Sequence, residues 1–199
     1  MKNLMVFQFL QTQLTMSKNP KALIFDMDGI IVDTEPLQSL SLEKLLHEYG
    51  IAPIYHENGL IHTVGISGDA SYHTFMKKHN LIEDIHIVQQ KRRKIFEEII
   101  KEGIVPMQGF TQLIKLLTQK NIKIGLASNR RYEHIILILE QLNIKEHFWA
   151  IVGPSEKRKH KPAPDIYLDT AKELKVSPQD CIVIEDSETG ILSAHSAGM

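Results

Sequence analysis

Two carboxylates, Asp26 and Asp28, stand one residue apart at the end of the apolar run Ala22-Leu23-Ile24-Phe25, and Gly29 follows them. Alone, Asp-x-Asp-Gly would read as an ordinary turn, because Asp and Gly both suit turns. Three further stretches give it company. Ser128-Asn129 closes the apolar run Ile122–Ala127, Glu185-Asp186-Ser187 closes Cys181–Ile184, and Lys161 lies in the polar stretch His160-Lys161-Pro162-Ala163-Pro164-Asp165. Each has a plainer use by itself: a solvated lysine, or a Ser or Asn at a helix start. Together they are four acids, a hydroxyl, an amide and an ammonium, each placed at the end of an apolar run or in the loop after one. Like charges about 4 Å apart repel by about 4 kcal/mol per pair at an effective dielectric near 20, so clustered acids must protonate or hold a cation. Hard oxygen donors without His or Cys select Mg²⁺. The ammonium, the hydroxyl and the Asn129 amide suit phosphate oxygens. One carboxylate could attack phosphorus, and the other, two residues on, could give a proton to the leaving oxygen and later take one from water.

The elements that must position these groups follow from periodicity. Residues 22–25 form a short buried strand. Apolar residues at 37, 40, 42, 45, 46 and 49 have helical spacing, and Gly50 stops them; residues 69–79 and 84–102 also read as helices. From Gly109 the pattern alternates: helix 110–120, strand 122–127, helix 131–142, strand 148–152, helix 164–174, strand 181–184, helix 188–197. Alternating strands and helices imply a doubly wound parallel sheet, and ligands of such sheets bind beyond the carboxyl ends of the strands. The expected fold is therefore an α/β, Rossmann-type core of residues 16–35 and 106–199 interrupted by an α-helical cap, 36–105, with no strong strand in the cap. Linkers near 33–36 and 103–108 would permit hinge closure. Residues 1–15 form an extension of unassigned order.

Composition limits the partners. The chain has 199 residues, 43% hydrophobic and 24% charged, with 23 Lys plus Arg against 24 Asp plus Glu. A net charge of −1 gives no electrostatic case for nucleic acid or an anionic membrane. No run approaches the roughly 18 apolar residues of a membrane span. Residues 1–15 carry one Lys, no Arg and no small-residue cleavage site, which does not read as a signal or transit peptide. The expected location is the cytoplasm. A single cysteine, Cys181, excludes an intramolecular disulfide, suits a reducing compartment and reads as a small core residue.

The ordered set Asp26-x-Asp28-Gly29, Ser128, Lys161 and Glu185-Asp186 resembles the haloacid dehalogenase-like superfamily. The flanking text DMDGIIVDTEP (26–36), PMQGF (106–110), GLASN (125–129), KPAPDIY (161–167) and IEDSETGI (184–191) resembles its β-phosphoglucomutase-like, helical-capped branch, over roughly residues 20–199. The resemblance implies that Asp26 is the nucleophile and Asp28 the general acid and base. It implies that Asp186, the Asp26 side chain and the Asp28 carbonyl hold Mg²⁺ with help from Glu185, and that Ser128 and Lys161 hold phosphate. An Asp at 28 points to phosphate esters rather than dehalogenation. The expected substrate is a small phosphorylated metabolite such as a sugar phosphate.

Two departures stand out. Where mutases of that branch carry a loop resembling Arg-Gly-x-Ser-Arg, this chain reads Thr63-Val64-Gly65-Ile66-Ser67-Gly68-Asp69. Both arginines are absent, which favours a phosphatase over a hexose-phosphate mutase. The family pattern also continues past Ala197-Gly198-Met199 into a further strand and helix, so the strand at 181–184 is expected to be a sheet edge. A shortened core keeps a third reading open, a non-catalytic phosphate-binding or interaction protein. The expected state is a monomer or weak homodimer. Of the histidines at 47, 56, 62, 73, 79 and 86, His62 and His73 flank the Gly65–Gly68 loop and, with Gly65 and Ser67, are the candidate substrate contacts of the cap.

Overall fold

A computed structural model describes residues 20–53, 55–56, 59–60 and 69–199. The chain divides into two compact units. One runs to Asp33 and resumes at Ile104; the other is Thr34–Gly103.

The first unit is built on four parallel strands: β1 (Ala22–Phe25), β4 (Lys123–Ala127), β5 (Ala150–Val152) and β6 (Cys181–Ile184), in the order β5-β4-β1-β6. Every residue of β1 is buried, as a central strand covered on both faces must be. On one face Ala22 and Ile24 belong to a cluster with Ile166, Tyr167, Ala171 and Leu174 of helix α6 (Asp165–Leu174). Phe25 meets Phe110 edge to face, with ring centroids 5.3 Å apart, at the start of α4 (Phe110–Gln119). Helices α5 (Tyr132–Gln141) and α7 (Glu188–Ser196) complete the unit. This is the doubly wound α/β core that the strand and helix alternation implies.

Register is what positions the site. Phe25 pairs with Leu126 on one side and Ile184 on the other, so the next residues, Asp26, Ala127 and Glu185, stand at one level at the carboxyl end of the sheet. Asp26 N still donates to Ile184 O at 3.0 Å, and Ser128 N to Val152 O at 3.1 Å.

The second unit holds α1 (Glu35–Glu48), α2 (Asp69–Lys78) and α3 (Ile85–Glu102). Leu42, Leu45 and Leu46 pack with Phe75, Met76, Val88, Ile95 and Ile99. Pro36 stands in the first turn of α1, where its missing N–H costs nothing. The Asp84 side chain caps α3 by accepting from His86 N at 2.8 Å. The unit also has an antiparallel pair, β2 (Tyr55–His56) with β3 (Gly59–Leu60). Sequence reading finds no strand there, because two residues are too few to show a period of two. In the core, β5 begins at Ala150 rather than 148. A 3₁₀ turn at Lys145–His147 delays the strand, leaving Trp149 exposed before it.

Candidate active site

At the carboxyl end of β1, Asp26 is only 8% exposed. Its Oδ2 accepts from Asp28 N at 3.0 Å, and its Oδ1 faces Lys161 Nζ at 2.6 Å. Lys161 Nζ also donates to Glu185 Oε1 at 2.5 Å and to Ala127 O at 3.2 Å. One ammonium thus joins the ends of β1, β4 and β6. The lysine lies 4.9 Å from the centre of the Tyr167 ring, and the Tyr167 hydroxyl donates to Glu185 Oε1 at 3.1 Å. Glu185 Oε2 accepts from the backbone N and the hydroxyl of Ser187, both at 2.9 Å. Ser187 in turn caps α7, its Oγ accepting from Gly190 N at 3.1 Å.

The charges respond to this packing. Burial pushes the Asp26 carboxyl up to about 7, against the pull of Lys161, and the neighbouring Glu185 and Asp28 add to the rise. Burial also works against ionisation of Glu185, but the Lys161 hydrogen bond and charge, with the Ser187 donors, outweigh it and hold Glu185 below the usual range. Asp186 is raised by burial and by Glu185 beside it. Burial, then the surrounding carboxylates, keep the Tyr167 phenol protonated.

One oxygen each from Asp26, Glu185 and Asp186 lies within 4.8 Å of the others. Three carboxylate oxygens so grouped could hold a metal ion, and Mg²⁺ takes hard oxygen donors of this kind. Gly29 shapes the same place: it has φ +74°, and a Cβ there would lie 2.0 Å from Asp186 Oδ2. Only glycine meets both demands at low cost.

The other sequence candidates separate. Ser128 is 1% exposed, and its Oγ accepts from Arg130 N at 3.1 Å; Asn129 is exposed. The Asp28 side chain pairs with Arg130, Nη2 to Oδ1 at 2.7 Å. His73 is exposed on α2, while His62, Gly65 and Ser67 lie outside the described residues. Sequence reasoning missed Arg130 and Tyr167, and it gave Ser187 a place at the helix start but no contact with Glu185. Ser187 carried a signal, a Ser at a helix start beside two acids. Arg130 and Tyr167 carried none, since an Arg in a polar turn and a Tyr on an apolar helix face are commonplace.

Residues 23–199 match the sequence model of the haloacid dehalogenase-like hydrolases. The β-phosphoglucomutase of Bacillus subtilis is 35% identical over 189 residues, covering 90% of this chain and 80% of that protein. A phosphorylated carbohydrates phosphatase of Thermotoga maritima is 28% identical, covering 90% of this chain and 82% of that one. The crystal structure of a Clostridium difficile β-phosphoglucomutase superposes with a TM-score of 0.69 at 31% identity, over 90% of this chain and 82% of that one. With the strand-end carboxylates and Lys161 in place on a parallel sheet, these likenesses show that the chain belongs to the haloacid dehalogenase-like hydrolases, in their β-phosphoglucomutase-like branch.

Proposed function

We propose that the protein is a Mg²⁺-dependent phosphomonoesterase that removes phosphate from a small metabolite, such as a sugar phosphate, through a phospho-Asp26 intermediate. The observation that carries this reading is the buried Asp26 carboxylate at the end of β1, with Lys161 on one oxygen and a backbone N–H on the other. Those contacts aim it, and they leave a lone pair for attack on phosphorus.

The residues divide the work. Lys161 and Ser128 hold phosphate oxygens, with Asn129, the residue after Ser128, as a further donor. Asp26 attacks phosphorus while Asp28 gives a proton to the departing oxygen. Asp28 then takes a proton from water as that water attacks phospho-Asp26, releasing inorganic phosphate. Asp26, Asp186 and the Asp28 carbonyl would hold Mg²⁺, with Glu185 assisting, and the ion would supply charge neutralisation for the phosphate.

Replacing Asp26 by Asn is expected to abolish phosphate release from a panel of phosphomonoesters with Mg²⁺, with an unchanged circular dichroism spectrum. Substantial residual release would sink the assignment. A second reading, a hexose-phosphate mutase, draws support from the Bacillus subtilis relative. The absence of both arginines from Thr63–Asp69 counts against it. A bisphosphate activator would stimulate sugar-phosphate interconversion by a mutase and leave a phosphatase unchanged.

A further inference from the structure

Asp28 does not stand alone in its half-exposed position: Arg130 Nε lies 3.1 Å from Oδ1 and 3.2 Å from Oδ2, and Nη2 2.7 Å from Oδ1. The arginine side chain is 9% exposed against 42% for the aspartate. Both partners are fixed from behind. Arg130 N donates to Ser128 Oγ at 3.1 Å, which ties the arginine to the end of β4. Asp28 sits in a tight turn in which Gly29 N donates to Val32 O at 2.9 Å and Ile31 N to Met27 O at 2.9 Å.

We propose that Arg130 is a positioning residue that aims the Asp28 carboxylate as the base for hydrolysis of phospho-Asp26. The proposal rests on the reading of Asp26 as nucleophile. Both Asp28 oxygens accept hydrogen bonds from Arg130, a use in which a carboxylate spends only lone pairs. The pair holds the carboxylate in place while 42% of the Asp28 side chain is exposed. In the step it serves, water oxygen bonds to phosphorus and the bond from phosphorus to the Asp26 oxygen breaks. One proton passes from that water to Asp28, leaving inorganic phosphate and the free Asp26 carboxylate. The planar guanidinium fork fixes both oxygens in one plane, which the point charge of a lysine does not.

The test uses p-nitrophenyl phosphate with Mg²⁺, because its phenolate leaves without a proton donor and the first step then makes no demand on Asp28 as acid. Phosphoprotein is measured by acid quench and intact-protein mass spectrometry, and folding by circular dichroism. In Arg130→Met, hydrolysis of the phosphoprotein is expected to slow about tenfold or more. Phosphoprotein then accumulates, and KM falls together with kcat as dephosphorylation becomes limiting. Arg130→Lys, which keeps the charge and guards against a folding defect, should lie between wild type and Arg130→Met. In an Asp28→Asn background, Arg130→Met should change the hydrolysis rate by less than about threefold, because coupled residues are not additive.

A raised KM at unchanged kcat would assign Arg130 to substrate binding and overturn the proposal. Equal loss of the phosphorylation and hydrolysis rates would overturn it too, as would an unchanged hydrolysis rate. Residual phosphate release by Asp26→Asn would instead sink the nucleophile reading itself. An inactive Asp26→Asn beside an unaffected Arg130→Met would remove only the role given to Arg130.

Discussion

Lys161 settles the balance of charge among the acids. Among the described residues its ammonium ion-pairs with both Asp26 and Glu185, and its side chain is 5% exposed against 12% and 4% for theirs. The two acids respond in opposite directions: Glu185, with Ser187 as a second source of donors, is held below its usual range, whereas Asp26 rises to about 7 because burial dominates there. The second acid of the motif was legible from spacing, but the partner of its side chain was not. Asp28 and Arg130 are 102 positions apart, and nothing local to either announces the pair. Cys181 shows burial acting with no function attached. Its thiol is pushed up to about 11 by burial, then by the Asp180 carboxylate beside it. A folded pKa above the unfolded one means that this group's contribution to stability is complete below about pH 8.5 and is lost as pH rises through about 11. The thiolate is the reactive form, so iodoacetamide should label the native protein about tenfold or more slowly at pH 8.5 than the urea-unfolded chain. Equal rates in the two states would remove the buried-thiol reading.

Among the elements, the start of α7 does the closest work for the site. Ser187 both caps the helix and donates to Glu185, and Gly190 leaves room for that carboxylate. A Cβ at position 190 would lie 1.9 Å from Glu185 Oε1, nearer than side chains pack. Alanine is the better helix former by about 1 kcal/mol, yet Gly190→Ala should push Glu185 off Lys161. The expected result is a fall in kcat/KM of about tenfold or more, as for other misplacements of about 1 Å, with the helix intact by circular dichroism. Unchanged kcat/KM would show that Glu185 is not held there. The helices were legible in the sequence wherever apolar residues recur every three to four positions over ten or more residues, as in α3 and α5. β2 and β3 were not, because they are two residues each, and the delayed start of β5 depends on a 3₁₀ turn that leaves no period to read.

At the scale of the whole molecule, β6 has a strand neighbour on one side only among the described residues. Ile182 of that strand is exposed, as are Ile191 and Leu192 of α7. Open edges with apolar side chains invite pairing between chains, so Ile182→Lys is expected to reduce self-association at high protein concentration, measured by light scattering after size exclusion. An unchanged mass distribution would show that this edge does not pair. The sequence by itself determined the type of fold and the acids at its strand ends. Strand and helix periods are local, and an acid directly after a buried strand must emerge at the sheet's edge. It also determined that residues 63–69 hold no arginine, since identity needs no coordinates. Only the tertiary structure decided how the charges are shared: that one lysine serves both Asp26 and Glu185, that Tyr167 lies beneath them, and that Arg130 holds Asp28. Those contacts depend on the parallel register that sets Asp26, Ala127 and Glu185 at one level, and on loop turns that bring distant residues within 3 Å. Neither is written in the spacing of any single stretch.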